Sequence, residues 1–191
     1  MRTQDEKKKE AIFVATIKLV NEVGFAAASI AKIAKEANVS PATIYIYHKN
    51  KEDLLCSIYT QISEKKSAIA MNGFAASASL KETLRKLWHN SFKFVSENQD
   101  LLQYHDQFLN SPYSDLLDDA NDQDDFQPVM AAIETAAKEK VIKPVDVQLI
   151  KAFIFSPLVA LANPRTSGHV KITRKKSDDA FEMAWDAIKL E

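Results

Sequence analysis

Residues 29–55 read SIAKIAKEANVSPATIYIYHKNKEDLL, three short segments separated by two helix-start signals. Ser29 stands before an apolar-periodic run, where a hydroxyl can accept a bond from an otherwise unpaired first-turn N–H. Ile30, Ile33, Ala34 and Ala37 follow at i, i+3, i+4 and i+7, one face of a short helix. Asn38 tolerates the left-handed backbone that a sharp turn needs, and Val39 is placed to plug the corner. Ser40-Pro41 opens a second helix, with Ser as N-cap and Pro at the first helical position, where its missing N–H costs nothing. Asn50, followed by Glu52 and Asp53, opens a third; acids in a first turn suit the helix dipole.

Two short helices joined by a tight turn, the second beginning with small and hydroxyl residues, make the pattern of a DNA-reading helix-turn-helix. The second helix carries Ser40, Thr43, Tyr45 and Tyr47, then His48, Lys49 and Lys51, with Ile44 and Ile46 as its core anchors. So few apolar residues cannot be buried all round, and the polar, aromatic face must meet something. Phosphates and base edges fit it: hydroxyls and amines bond phosphate oxygens, and Thr methyls or Tyr rings touch thymine methyls.

Residues 8–55 resemble the N-terminal domain of TetR/AcrR-family transcriptional regulators. The carriers are Gly24-Phe25, Ser29 to Ile33-Ala34, Ser40, Thr43-Ile44-Tyr45, Tyr47 and the run Lys49-Asn50-Lys51-Glu52-Asp53-Leu54. Two positions depart from the family pattern: Asn38 stands where Gly is usual, and His48 where Phe is usual. The resemblance implies an all-α chain. A three-helix, helix-turn-helix DNA-binding domain would fill about 1–50, and a larger helical ligand-binding and dimerisation domain about 51–191. It implies DNA contacts from Ser29, Lys32, Ser40, Pro41, Ala42, Thr43, Tyr45, Tyr47, Lys49 and Lys51. Ala31 stands where some relatives carry a long base-reading side chain, so the first of the two helices is expected to read little.

Composition agrees with a helical protein. The 191 residues include only three Gly and six Pro, 46% are hydrophobic and 27% charged, and no alternating β-branched run with Asn-Gly turns occurs. The net charge is −1, but residues 1–51 hold nine basic against five acidic side chains, +4, which leaves −5 on the remainder. A basic end on an acidic body suits one end meeting phosphate. Cys56 is the single cysteine, so no internal disulfide or cysteine metal cluster is expected. The N-terminus is charged rather than leader-like, and the apolar stretch Ala152–Ala162 is too short to span a bilayer. A cytoplasmic location without membrane contact follows as the expectation.

Along the chain, residues 1–7 read as a disordered arm. Helices follow over about Lys8–Val23 and from Asn50 through Ile69. After a loop at Met71–Ser79, further helices begin at Ser79 and Leu101, span about Phe126–Lys140, and begin at Asp146 and Ser177. The eight aspartates of residues 100–125 lack EF-hand spacing and read as a solvated acidic loop. The histidines show no metal-ligand spacing, and no nucleophile-base or phosphate-loop motif marks an enzyme. Trp88, His89, Phe92, Tyr104, His105, Phe108, Met130 and Phe155 belong to a dense aromatic and polar-tipped set. Core packing accounts for most of it; the resemblance adds a cavity for an unknown small-molecule effector, with no cofactor, where buried polar tips await a ligand partner. The last two helices, with Phe153, Leu158, Phe181, Trp185 and Ile188, fit a four-helix homodimer interface. The expected function is a one-component regulator, a ligand-released repressor on a pseudo-palindromic double-stranded operator. The alternative is a helical small-molecule-binding or scaffold protein that reads no DNA sequence.

Overall fold

The computed structural model describes residues 4–74, 79–117, 126–163, 166–168 and 172–190. The fold is all-α. Its helices are α1 (Gln4–Ala27), α2 (Ile30–Glu36), α3 (Pro41–Tyr47), α4 (Lys51–Ala70), α5 (Leu80–Glu97), α6 (Gln99–Leu109), α7 (Gln127–Lys138), α8 (Val147–Ala162) and α9 (Arg174–Ile188), with a 3₁₀ turn at Ser114–Leu116. Among the described residues no helix is long and apolar enough to cross a membrane.

The start signals read from sequence act as caps. The Ser29, Ser40 and Asp146 side chains accept from the N–H groups of Lys32, Thr43 and Gln148. Ser79 and Glu82 form a reciprocal capping box on α5. Two boundaries differ from expectation. Helix α1 begins at Gln4, inside the expected arm, because Asp5 pairs with Lys9 one turn on and accepts from the Tyr47 hydroxyl. Helix α9 begins three residues before Ser177, capped by Thr173, because Ser177 is buried and accepts from the Trp88 indole N–H at 3.0 Å. The aspartates at 118, 119, 122, 124 and 125 lie outside the described residues.

The chain forms two compact units, Met1–Glu64 with Asp100–Asp122, and Lys65–Gln99 with Gln123–Glu191. This differs from the expected division at residues 50 and 51. In the first unit, Ile12, Ile17 and Val20 of α1 pack with Ile33, Ile44, Leu54, Leu55 and Ile58 into one core. Helix α6 completes that core, although it follows only after the whole of α5. The Tyr104 ring meets Phe25 edge-on at 5.3 Å, and its hydroxyl donates to the Leu55 carbonyl at 3.0 Å. Tyr59 stacks on His105 and Phe108 at 5.0 and 4.5 Å, and Asn21 donates to the Asp100 carbonyl. Aromatic area of this size needs covering, so α6 belongs with the helix-turn-helix.

In the second unit α5 packs on α7, α8 and α9. Leu84, Leu87, Trp88, Val129, Ile133, Ile150, Ile154, Phe181 and Ile188 fill the interior. The chain after α7 pairs with the end of α9: Lys143 N–H donates to the Ile188 carbonyl at 2.8 Å and Leu190 N–H to the Val141 carbonyl at 3.2 Å. Lys81 and Arg85 of α5 both pair with Glu182 of α9, and His89 pairs with Asp178 at 2.9 Å.

This packing corrects the expected dimer contacts. Leu158, Phe181, Trp185 and Ile188 are all buried within the single chain and have almost no surface left for a partner. Of that set only Phe153 faces outward, 56% exposed. The faces of α8 and α9 that carry those four residues are turned into the protomer core. What remains open on α8 is a second stripe, Leu149, Ala152, Phe153, Ser156, Pro157 and Ala160, at helical spacing.

Candidate nucleic-acid interface

The turn between α2 and α3 is built as its residues dictate. Asn38 adopts φ 52, and Val39 N–H reaches back to the Ala34 carbonyl at 2.9 Å. Ser40 then caps α3: its Oγ accepts from Thr43 N–H at 3.2 Å and lies 3.0 Å from Thr43 Oγ1. Pro41 occupies the first turn. Ile44 is fully buried and anchors α3 to the core. Opposite it, Ala42, Tyr45 and Ile46 are all exposed at i, i+3 and i+4, a single stripe, and Lys49 is exposed beyond the end of the helix.

Ile46 is a reading-helix residue that the sequence reading placed in the core. It is 75% exposed, not a core anchor. The signal was available: two residues apart on a helix is about 200° of rotation, so Ile44 and Ile46 cannot share one buried face.

The other expected contact residues divide by what already holds them. Ser29, Pro41, Ala42, Tyr45 and Lys49 are exposed. Lys32 is exposed, and its ammonium donates to the Ala27 carbonyl at 3.0 Å. The Lys51 ammonium donates to the Phe25 carbonyl at 2.6 Å. Both lysines thus tie down the corner between α1 and α2, which follows Gly24 at φ 78. Tyr47 turns toward α1, where its hydroxyl donates to Asp5 and Lys9 lies 5.1 Å from its ring centre. That bond holds the Asp5 carboxyl below its usual range and pushes the Tyr47 phenol up.

His48 closes the C-terminus of α3, its backbone N–H on the Ile44 carbonyl. Its Nδ1 lies 3.8 Å from Asp53 Oδ2, the same oxygen that accepts from Lys49 N–H at 2.9 Å. Burial lowers the imidazole pKa and outweighs the opposing attraction of Asp53; Lys9 lowers it further.

The residues expected around an effector are divided between the two units. Tyr104, His105 and Phe108 sit on α6 in the first; Trp88, His89, Phe92, Met130 and Phe155 sit in the second. Several polar tips offered to a ligand have protein partners: Tyr104 on Leu55, Trp88 on Ser177 and His89 on Asp178. An open groove of about 420 Å³ lies instead between α7 and α8, lined by Ile133, Ala137, Lys138, Val145, Val147 and Ile150 among others. It contains none of the expected set.

A capped two-helix motif with an exposed reading stripe, held on a third helix, defines a helix-turn-helix DNA-binding protein. Residues 12–58 match the model of bacterial regulatory proteins of the tetR family, and residues 79–189 match that of the tetracyclin repressor-like C-terminal domain. The chain belongs to the TetR family of transcriptional regulators. A TetR-family regulator from Marinobacter aquaeolei is similar over the whole of both chains, at 32% identity and a TM-score of 0.88. A TetR-family protein from Vibrio parahaemolyticus is 27% identical, with 96% of this chain and 99% of that chain covered and a TM-score of 0.78. An HTH-type transcriptional regulator of Haemophilus influenzae is 34% identical over 112 residues, 59% of this chain. The Bacillus subtilis fatty acid metabolism regulator protein is 40% identical over 58 residues, 30% of this chain. The chain spans 60% and 30% of the lengths of those last two relatives.

Proposed function

We propose that the protein is a dimeric repressor that binds a pseudo-palindromic operator and releases it when a small apolar or aromatic effector binds. The observation that carries this reading is the bolting of α6 onto the DNA-binding helices. Phe25, four residues before the α2 cap, is packed against Tyr104, Phe108 and Tyr113 at 5.3 to 5.9 Å. Helix α4 follows α3 after three residues and holds α6 through Leu55 and Tyr59. A shift of α6 therefore acts on the helices that aim α3. An effector can drive that shift only as far as it binds the two states with different affinity.

The dimer is supported by the open stripe on α8, where Leu149 and Phe153 are each about half exposed in the protomer. Twofold symmetry in the protein would call for twofold symmetry in the operator. The test is selection of duplexes from a random library by the full-length chain, followed by effector titration with and without the selected duplex. Inverted repeats and reciprocal weakening of the two ligands by one factor are expected. A bound site without inverted symmetry, or equal effector affinity in both titrations, overturns the corresponding part.

A further inference from the structure

We infer that α3 reads its operator mainly through thymine C5-methyl groups, with Ile46 as the residue that discriminates; this rests on the regulator reading above. The seven residues of α3, Pro-Ala-Thr-Ile-Tyr-Ile-Tyr, contain no Arg, Lys, Asn, Gln, Asp or Glu. The helix therefore lacks every side chain that makes a bidentate bond to guanine or adenine, or that accepts from cytosine. Thr43, the other short polar group, has its hydroxyl 3.0 Å from Ser40 Oγ and is only half-exposed. Tyr47 is engaged with Asp5 on α1.

What the stripe presents is a methyl at Ala42, the branched side chain of Ile46 and the Tyr45 ring beside it, and the exposed Lys49 follows just past the helix end. On the neighbouring α2, Ala31 is exposed and offers a methyl alone. An isoleucine exposed singly on a protein surface is ordinary in itself. This one, 75% exposed, lies on the stripe that faces away from the Ile44 anchor. In the major groove the apolar feature that tells one base pair from another is the thymine methyl. An aliphatic side chain cannot use the donors and acceptors around it. The occupant of this apolar stripe is thus a thymine-bearing step. Lys49 and the Tyr45 hydroxyl can hold the flanking phosphates, and those contacts carry no sequence information.

The experiment uses the full-length protein and an operator selected from random duplexes. Each thymine is replaced in turn by deoxyuridine, which removes only the methyl, and the dissociation constant is read by fluorescence anisotropy. One or two thymines are expected to lose about fourfold in affinity on methyl removal, the size expected for one apolar group withdrawn from water. In Ile46→Ala, which leaves the Ile44 anchor untouched, the same deoxyuridine replacement should have no further effect, while replacements elsewhere behave as in the parent. If no methyl matters, or if its effect is undiminished in Ile46→Ala, the inference falls although the regulator reading stands. If no sequence is enriched over random DNA, the regulator reading falls with it.

Discussion

The Lys51 ammonium sits 2.6 Å from the Phe25 carbonyl, so a lysine expected at the DNA surface has a partner at the end of α1. Hydrogen bonds to a charged donor contribute about 1.5–3 kcal/mol when partly shielded. Lys51→Met is therefore expected to lower stability in urea unfolding by about 1–2 kcal/mol, toward the lower end of that range. The slope of log affinity against log salt should stay at the parent value. A fall in that slope by about 0.9 would put Lys51 on a phosphate.

Tyr104 is fully buried, and its hydroxyl has the Leu55 carbonyl as its partner. Tyr104→Phe keeps the ring against Phe25 and removes one hydrogen bond, which lowers stability by about 1 kcal/mol. If α6 sets the aim of α3, the same variant also changes operator affinity, although Tyr104 itself is buried away from any DNA. Anisotropy on a selected operator, at a temperature well below unfolding, separates the two effects.

His48 gives the DNA-binding unit a pH dependence. Its folded pKa lies below the usual histidine value of 6.5, with Asp53 and Lys9 as the charged groups acting on it. Between the folded and unfolded values the unfolded chain holds more proton than the folded one. Stability from this group is therefore present above about pH 6.5 and is lost as pH falls through the folded value. In His48→Phe the difference in unfolding free energy between about pH 5 and about pH 8 should be smaller than in the parent. An equal difference in both would assign the dependence to other groups.

Phe153 and Trp185 separate assembly from folding. Phe153 is exposed and Trp185 buried. Phe153→Lys is expected to lower the dimer fraction in sedimentation velocity while leaving the helical signal intact. Trp185→Ala should cost about 3–5 kcal/mol of protomer stability. A dimeric Phe153→Lys at micromolar concentration would move the interface off the α8 stripe.

The local signals were legible because they are local. Ser29, Asn38, Ser40, Ser79 and Asp146 act within three or four residues of themselves, so their roles follow from spacing alone. The side that each terminal helix turns inward was not legible. Leu149 and Phe153 are as apolar as Ile150 and Ile154, and α8 is hydrophobic around much of its circumference. Periodicity cannot choose a face there; the partners on α5 and α9 choose it. The same limit hid the place of α6, whose aromatic residues fit either unit until Phe25 and Tyr59 are seen against them.

Because α6 completes the first unit's core, the DNA-binding part of this chain is not finished when its own sequence has been made. Phe25, Leu55 and Tyr59 leave the ribosome well before Tyr104 and Phe108. At typical synthesis rates the intervening stretch takes about 2–10 s to translate. For that interval the nascent head exposes an aromatic surface that it cannot cover, and α5 is synthesised before the covering helix arrives. Birth order thus sets a window in which the growing chain is sticky, and chaperone capture should be most efficient on stalled chains from which Tyr59 has emerged and Tyr104 has not.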